Sequence, residues 1–294
     1  MNEKPVWDVE GKAWPNRAAS RFVIADGLQW HVQVMGAGPV LLLLHGTGAA
    51  SHSWRDVAPL LAPHFTVVAP DLPGHGFTAT PPSMALPAMV RSIAALLDAL
   101  QMQPAMVAGH SAGAAIALRM VLDGRIAPKA AASIGGALLP FPGIGAMLFP
   151  AMARLLFVNP FMPQLFTMRA RAPGEVERFL EKSTGSKIDA AGTLHYEQLF
   201  RSPGHVSAVL GMMANWDLVP LERDLGQLAV PLELLHGERD KAVPVSVARA
   251  VARKVPGCEL GILPGLGHLA HEEQPGLIAE RLLGQARRAG VLAA

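Results

Sequence analysis

The stretch that decides the fold is residues 105–118, which read AMVAGHSAGAAIAL. An apolar run ends at Gly109, a serine follows two residues later, and an alanine-rich run that favours a helix begins directly after it. Glycines two positions before and after Ser111 indicate a turn too tight for side chains, which lifts the serine hydroxyl clear of the strand. We therefore predict that Ser111 is a nucleophile in a strand–turn–helix. The alternative is a tight turn whose serine only caps the helix.

The sequence around this stretch predicts a parallel sheet covered by helices. A hairpin is expected at 21–35, because Asp26-Gly27 is a turn dipeptide between two extended pieces. Helical spacing predicts helices at 89–100, which Pro104 should end, at 246–254 and at 279–288. Short apolar runs predict buried strands at 40–44, 65–69, 105–108, 130–135, 232–235 and 260–263. We expect an α/β fold with a mostly parallel central sheet and helices on both faces.

The regular alternation stops between residues 138 and 216, where proline and methionine are frequent. Helices are predicted in this region near 151–157, 175–182 and 206–214. We interpret 138–216 as a helical cap inserted into one α/β core, which consists of 21–137 and 217–294. Residues 1–20 are polar and predict a loose leader without a secretory signal.

A serine hydroxyl needs a base that takes its proton, and the base needs a carboxylate that orients it. His268 lies in a glycine-rich loop after the last predicted strand, and His271 is the nearest competitor. Asp240 follows the next-to-last strand, and Glu238 is the rival acid. We favour Asp240 because its charged neighbours mark an exposed loop tip. The predicted catalytic order is therefore serine, aspartate and histidine along the chain.

The oxyanion of an acyl-transfer reaction requires backbone N–H donors. Ala112 is expected to supply one at the start of the helix, and Thr47 is expected to supply the other from the small-residue loop 45–48. A phosphate-binding loop is the alternative for 46–48, but the spacing of phosphate-binding motifs is missing. His45 and Trp54 are expected to support packing more than chemistry.

The composition limits the classes of function. The chain has 294 residues, of which 51% are hydrophobic and 16% charged, against about 25% charged residues in an average domain. This favours an apolar ligand, a protein partner or a membrane face, or else a large core rich in alanine and leucine. A net charge of +2 without basic runs argues against nucleic acid, and the single cysteine, Cys258, argues against a disulfide framework. The long uncharged stretch 130–153 is broken by prolines, so we expect a cytoplasmic protein without a transmembrane segment.

With these motifs assembled, the chain resembles the α/β-hydrolase superfamily over residues 21–294. The loop 70–76, PDLPGHG, matches the loop after that superfamily's fourth strand and is assigned a mostly structural role. A narrower resemblance is to the BchO-type magnesium-chelatase accessory proteins of bacteriochlorophyll biosynthesis. It is carried by WPNR at 14–17, WHVQ at 30–33, HGTG at 45–48, SWRD at 53–56 and MMANWDL at 212–218.

The resemblance implies a serine-nucleophile hydrolase in which Ser111, Asp240 and His268 are the catalytic residues. The low charge and the methionine-rich cap favour a small apolar substrate such as a tetrapyrrole, and the resemblance makes magnesium chelatase a candidate partner. Peripheral membrane contact is left open. The alternative function is a non-catalytic accessory protein that holds a porphyrin or contacts the chelatase. No cofactor and no metal site are expected, because no histidine and acid spacing matches a zinc motif. The predicted pocket residues are His45, Gly46, Gly48, His110, Met147, Phe161, Met213 and Trp216.

The cap carries methionines and phenylalanines that suit a broad apolar ligand or a partner surface. Arg154, Arg169 and Arg171 could meet the propionates of a tetrapyrrole. The alternative interpretation is that the apolar side chains only fill the interface between cap and core.

Overall fold

A computed structural model describes residues 4–140, 159 and 161–293. Eight strands of these residues form one sheet in the order β1-β2-β4-β3-β5-β6-β7-β8. The β1–β2 and β2–β4 pairs are antiparallel, and the pairs from β4 to β8 are parallel. The predicted mostly parallel architecture is therefore confirmed. The strands are β1 Ser20–Ala25, β2 Leu28–Met35, β3 Val40–Leu44, β4 Thr66–Pro70, β5 Pro104–His110, β6 Ala130–Ile134, β7 Leu232–Gly237 and β8 Glu259–Leu263.

The predicted hairpin is present, and both residues of its turn, Asp26 and Gly27, have positive φ values of 51° and 70°. The predicted role of Pro104 is wrong. Helix α2 ends at Leu100, where Gln101 takes the left-handed conformation with φ 55°, and Pro104 is the first residue of β5.

Helices cover the sheet, and four of them lie in the region predicted to be a cap. Before that region lie α1 Val57–Leu61, α2 Leu86–Leu100 and α3 Ala112–Leu122. Within the predicted cap region lie α4 Met162–Ala170, α5 Glu175–Thr184, α6 Ala190–Phe200 and α7 Pro203–Ala214. After it come α8 Val219–Asp224, α9 Val245–Lys254, α10 Ala270–Glu273 and α11 Pro275–Arg288. None of the helices in the described residues is long and apolar enough to cross a membrane.

Strand β3 shows why the sheet is buried on both faces. Leu42 and Leu44 pack into the apolar layer that includes α2 and α3, whereas Leu41 and Leu43 pack into the layer that includes α1 and α11. All four side chains are fully buried. Because successive side chains of a strand point to opposite faces, an unbroken leucine run is suited to a sheet with helices on both sides.

Two cap helices, α4 and α6, were not predicted from the sequence, because their apolar residues are not concentrated on one face. The predicted helices at 175–182 and 206–214 correspond to α5 and α7. The predicted helix at 151–157 lies outside the described residues. The division into a core and a cap at residues 138 and 216 stays a prediction.

The part of the leader around Trp14 is not loose, contrary to the expectation. Trp14 is 3% exposed, and its indole N–H donates to Ser51 Oγ at 3.2 Å. The indole packs in a small apolar cluster with Phe77 and Leu199. A large aromatic side chain buries enough apolar surface to dock a short polar segment on the core.

Candidate active site

Ser111 occupies a strained turn between β5 and α3. Its φ and ψ are 51° and −118°, a conformation that side-chain-bearing residues rarely adopt. Gly109 and Gly113 are required by close packing. A Cβ atom on Gly109 would collide with the backbone nitrogen of Ala114, and one on Gly113 would collide with the carbonyl oxygen of Leu44. The turn is therefore the strained strand-to-helix arrangement that the spacing of the glycines predicts.

The end of β6 brings His268 close to this turn. The backbone N–H of Ser111 donates to the carbonyl of Ile134 at 3.0 Å. The next residue, Gly135, faces the histidine, since an added Cβ atom would lie 3.0 Å from His268 Nδ1. On the other side, His110 Nε2–H donates to the carbonyl of His268 at 3.0 Å. Gly135, which follows the residue bonded to Ser111, and His110 therefore both lie beside His268.

His268 and Asp240 form a direct pair. His268 Nδ1–H donates to Asp240 Oδ2 at 2.7 Å, and the Asp240 side chain is fully buried. The other carboxylate oxygen, Oδ1, accepts the backbone N–H groups of Ala242 at 2.9 Å and Val243 at 2.7 Å. Because these bonds fix the carboxylate, it holds the imidazole in one tautomer with Nε2 free to act as a base.

Glu238 and His271, the rivals for the acid and the base, lie outside the pair formed by Asp240 and His268. Glu238 is exposed and accepts the backbone N–H of Gly265 at 2.9 Å. The ring of His271 is fully buried, with its centroid 4.3 Å from that of His110 and 4.7 Å from that of Trp54. Among the described residues, neither ring nitrogen of His271 has a hydrogen-bond partner. Burial lowers its pKa to about 3, so this imidazole is neutral at pH 7.

The loop with the predicted oxyanion donors lies against the serine. A Cβ atom on Gly46 would lie 2.9 Å from Ser111 Cβ, so a side chain at this position would fill the reaction site. Thr47 is half-buried, and its hydroxyl donates to Met212 Sδ at 3.5 Å. Ala112 is the first residue of α3, where backbone N–H groups have no acceptor within the helix. The predicted donor groups therefore lie on the two segments that border Ser111.

Two neutral histidines hold this loop. His45 Nδ1–H donates to the carbonyl of Gly46 at 2.8 Å, and its Nε2 accepts the N–H of Leu72 at 2.8 Å. His205, from cap helix α7, donates through Nε2–H to the carbonyl of Gly48 at 3.2 Å. Burial lowers the pKa of His45 to about 4 and that of His205 to about 3. The role of His45 is thus loop support, as predicted, whereas the sequence contained no signal that would select His205.

The loop 70–76 is organised by Asp71, which is fully buried. Its carboxylate accepts the backbone N–H groups of Ser51 at 2.7 Å and Phe77 at 2.9 Å and contacts His31 Nδ1 at 2.9 Å. Although burial raises the pKa of Asp71, the adjacent imidazole and hydrogen bonds hold it below its ordinary value. The carboxylate therefore stays charged and joins three segments, which supports the structural role assigned to this motif.

A buried polar cluster joins the cap to the core and was not predicted. Arg55 bonds to Glu272 at 3.1 Å and to Asp189, at the start of α6, at 2.7 Å. The hydroxyl of Tyr196 donates to Glu272 at 2.7 Å. Burial raises the pKa of Glu272 to about 7, against an ordinary value of 4.5. These contacts join residues far apart in the sequence, which local patterns cannot reveal.

The remaining predicted pocket residues occupy different environments. Phe161, just before α4, is 76% exposed, and Met168 is 65% exposed. Trp216 is half-buried and packs against the main core, and Met213 is half-buried on α7. Its neighbour Met212, rather than Met213, contacts the oxyanion loop. Met147 and Arg154 lie outside the described residues.

The groups brought together here are of the kinds that acyl transfer uses. A hydroxyl on a strained turn, an imidazole paired with a carboxylate, and two N–H donors are the groups that nucleophilic catalysis at a carbonyl requires. Over residues 4–140 and 161–293, no group of three histidine, cysteine or acidic side chains is arranged to hold a metal ion.

Comparisons with known proteins agree with this geometry. The family described as "Alpha/beta hydrolase family" matches residues 41–281. The chain is 41% identical to the magnesium-chelatase 30 kDa subunit of Rhodobacter capsulatus, covering 88% of this chain and 91% of that protein. It is 32% identical to a pimeloyl-acyl-carrier-protein methyl ester esterase of Xanthomonas oryzae pv. oryzae, covering 83% of this chain and 94% of that protein. The crystal structure of an α/β-hydrolase-fold protein from Burkholderia ambifaria superposes with a TM-score of 0.77 at 23% identity, covering 90% of this chain and 97% of that chain. This similarity supports the fold.

Proposed function

We propose, from the premise that the chain belongs to the alpha/beta hydrolase family, that it is a serine hydrolase of the esterase type. The observation that carries the proposal is the 2.7 Å bond between His268 and Asp240 beside the strained turn of Ser111. The similarity to a methyl ester esterase supports an ester as the bond that is cleaved.

In the proposed reaction, Ser111 Oγ attacks the carbonyl carbon of an ester while His268 Nε2 takes the hydroxyl proton. Asp240 stabilises the resulting imidazolium, and the N–H groups of Thr47 and Ala112 bind the oxyanion. Each such donor contributes about 2.7–4 kcal/mol to transition-state stabilisation. His268 then gives the proton to the leaving alkoxide, and a water molecule activated by the same imidazole releases the acid.

Hydrolysis of p-nitrophenyl esters of different acyl length tests this proposal. The wild type should release p-nitrophenolate with saturation kinetics, and Ser111→Ala should fall to the level of buffer. Ser207→Ala is the matched control, because Ser207 is a half-buried serine on helix α7. Equal rates for wild type and Ser111→Ala would contradict the proposal.

A second candidate function is favoured by the similarity to a magnesium-chelatase subunit. The capped pocket would then hold a tetrapyrrole or contact the chelatase, with or without use of the triad. Titration of the protein with protoporphyrin, followed by absorbance, should show saturable binding. Restoration of pigment synthesis by Ser111→Ala in cells that lack the protein would assign it the binding role alone, whereas failure to restore it would show that the chemistry is used.

A further inference from the structure

Cap helix α5 ends in a turn that reaches the loops of the acid and the base. Thr184 is the last residue of the helix, and Gly185 ends it in the left-handed conformation with φ 74°. Ser186 follows and is 2% exposed. We call residues 184–186 the cap turn.

The cap turn bridges the two loops through one backbone group. The carbonyl of Thr184 accepts the N–H of Lys241 at 3.2 Å and the N–H of His268 at 2.9 Å. Lys241 is the immediate neighbour of Asp240. One cap carbonyl is therefore bonded to the base itself and to the residue beside the acid.

The Ser186 side chain ties down the residues around the base. Its Oγ accepts the N–H of Leu269 at 2.8 Å and donates to Glu273 Oε1 at 2.7 Å. The same carboxylate oxygen accepts the N–H of Gly267 at 2.7 Å. Both chain neighbours of His268 are thus held by one network that includes a cap hydroxyl.

Packing leaves little room for this turn to shift. A Cβ atom on Gly185 would collide with the carbonyl oxygen of Arg239, and one on Gly267 would collide with Ser186 Oγ. The backbone of the cap turn therefore lies directly against the Arg239 carbonyl on one side and against Gly267 on the other, where an added Cβ atom would lie 2.5 Å from the carbonyl carbon of Gly185.

We propose that the cap turn aligns the base with the acid, and that Ser186 is a positioning residue for His268. This inference rests on the proposed function of the triad and deepens it. The hydrogen bonds of the cap turn fix the distance between the loop of His268 and the loop of Asp240. If the cap turn lost these hydrogen bonds, the base would lose its alignment with the acid.

The test compares Ser186→Ala with Ser183→Ala. Ser183 is the matched control, because the partners of its hydroxyl among the described residues are the carbonyls of Phe179 and Leu180 in its own helix. The first readout is the rate of labelling by a fluorophosphonate. The second is the low-field proton resonance of the His268 Nδ1–H, which reports the bond to Asp240 without any reaction.

Ser186→Ala removes both hydrogen bonds of the hydroxyl and should be labelled roughly tenfold more slowly, and its low-field resonance should broaden or disappear. Ser183→Ala should match the wild type in both readouts. Glu273→Ala removes the other end of the network at a half-buried position, and it should also slow labelling and broaden the resonance. This variant replaces Ser186→Ala in the test if Ser186→Ala does not fold.

A Ser186→Ala protein that only melts earlier, with the labelling rate and the resonance of the wild type, would overturn the positioning role. Failure of the wild type to react with the fluorophosphonate would instead refute the proposed hydrolase function. The resonance would still decide the positioning role in that case.

Discussion

Replacing Asp240 by asparagine should abolish most of the activity through the tautomer of His268. Oδ1 of Asp240 accepts two backbone N–H groups, from Ala242 and Val243. In the variant, the amide oxygen must take this position, because an NH₂ group cannot accept hydrogen bonds. The NH₂ group then faces His268 Nδ1, which has to become an acceptor. The ring proton moves to Nε2, and the imidazole cannot take the proton of Ser111.

The expected loss in kcat is about 10⁴-fold, the effect of this kind of substitution in a serine–histidine–aspartate triad, or about 5.4 kcal/mol at 1.36 kcal/mol per tenfold change. The assay is steady-state hydrolysis of a p-nitrophenyl ester at pH 7, together with a melting temperature that should stay close to that of the wild type. The matched control is Glu238→Gln, the exposed rival acid, which should stay within about twofold. A loss below tenfold for Asp240→Asn, or a larger loss for Glu238→Gln, would refute the reasoning.

Three stability measurements follow from the same structure. Gly113→Ala should destabilise the fold by about 2–4 kcal/mol in urea unfolding, since its Cβ atom would collide with the carbonyl of Leu44, whereas Gly276→Ala, with open space around it, should be neutral or stabilising by up to about 1 kcal/mol. Asp71→Asn should lower the free energy of unfolding by about 1–3 kcal/mol, because an amide cannot replace both acceptor oxygens of a buried carboxylate. An unchanged midpoint of urea unfolding would contradict this prediction. The raised pKa of Glu272, about 7 folded against 4.5 unfolded, means that its stabilising contribution is complete below about pH 4.5 and is lost as the pH rises through 7. Between about pH 4.5 and 7, the free energy of unfolding of the wild type should therefore fall by roughly 3 kcal/mol relative to that of Glu272→Gln. Parallel curves of unfolding free energy against pH for the two proteins would contradict this prediction.

The positions of the loops that contain Ser111, Asp240 and His268 could be predicted because each loop follows a strand with a local signature. Glycine spacing identifies Ser111, and the loops after the last two strands contain Asp240 and His268. The hairpin and the buried strands follow equally from patterns within ten residues. Local sequence patterns were sufficient to predict an element wherever one short segment determined its conformation.

The contacts that support the site could not be predicted, because each joins segments remote in sequence. His205 reaches Gly48 across 157 positions, and Ser186 reaches Leu269 across 83. The choice between Met212 and Met213 depends on the rotation of helix α7, whose apolar residues do not define one face. The prediction of a loose leader failed for the same reason, since the side chains that pack against Trp14 come from elsewhere in the chain.

The most direct measurement is mass spectrometry of the intact protein after reaction with a fluorophosphonate, followed by peptide mapping. We expect one adduct per chain, formed by loss of fluoride from phosphorus and located on Ser111. Denatured protein and Asp240→Asn should gain little or none in the same time. An adduct on another residue, or no adduct on folded wild-type protein, would contradict the claim that Ser111, His268 and Asp240 work together as a catalytic triad.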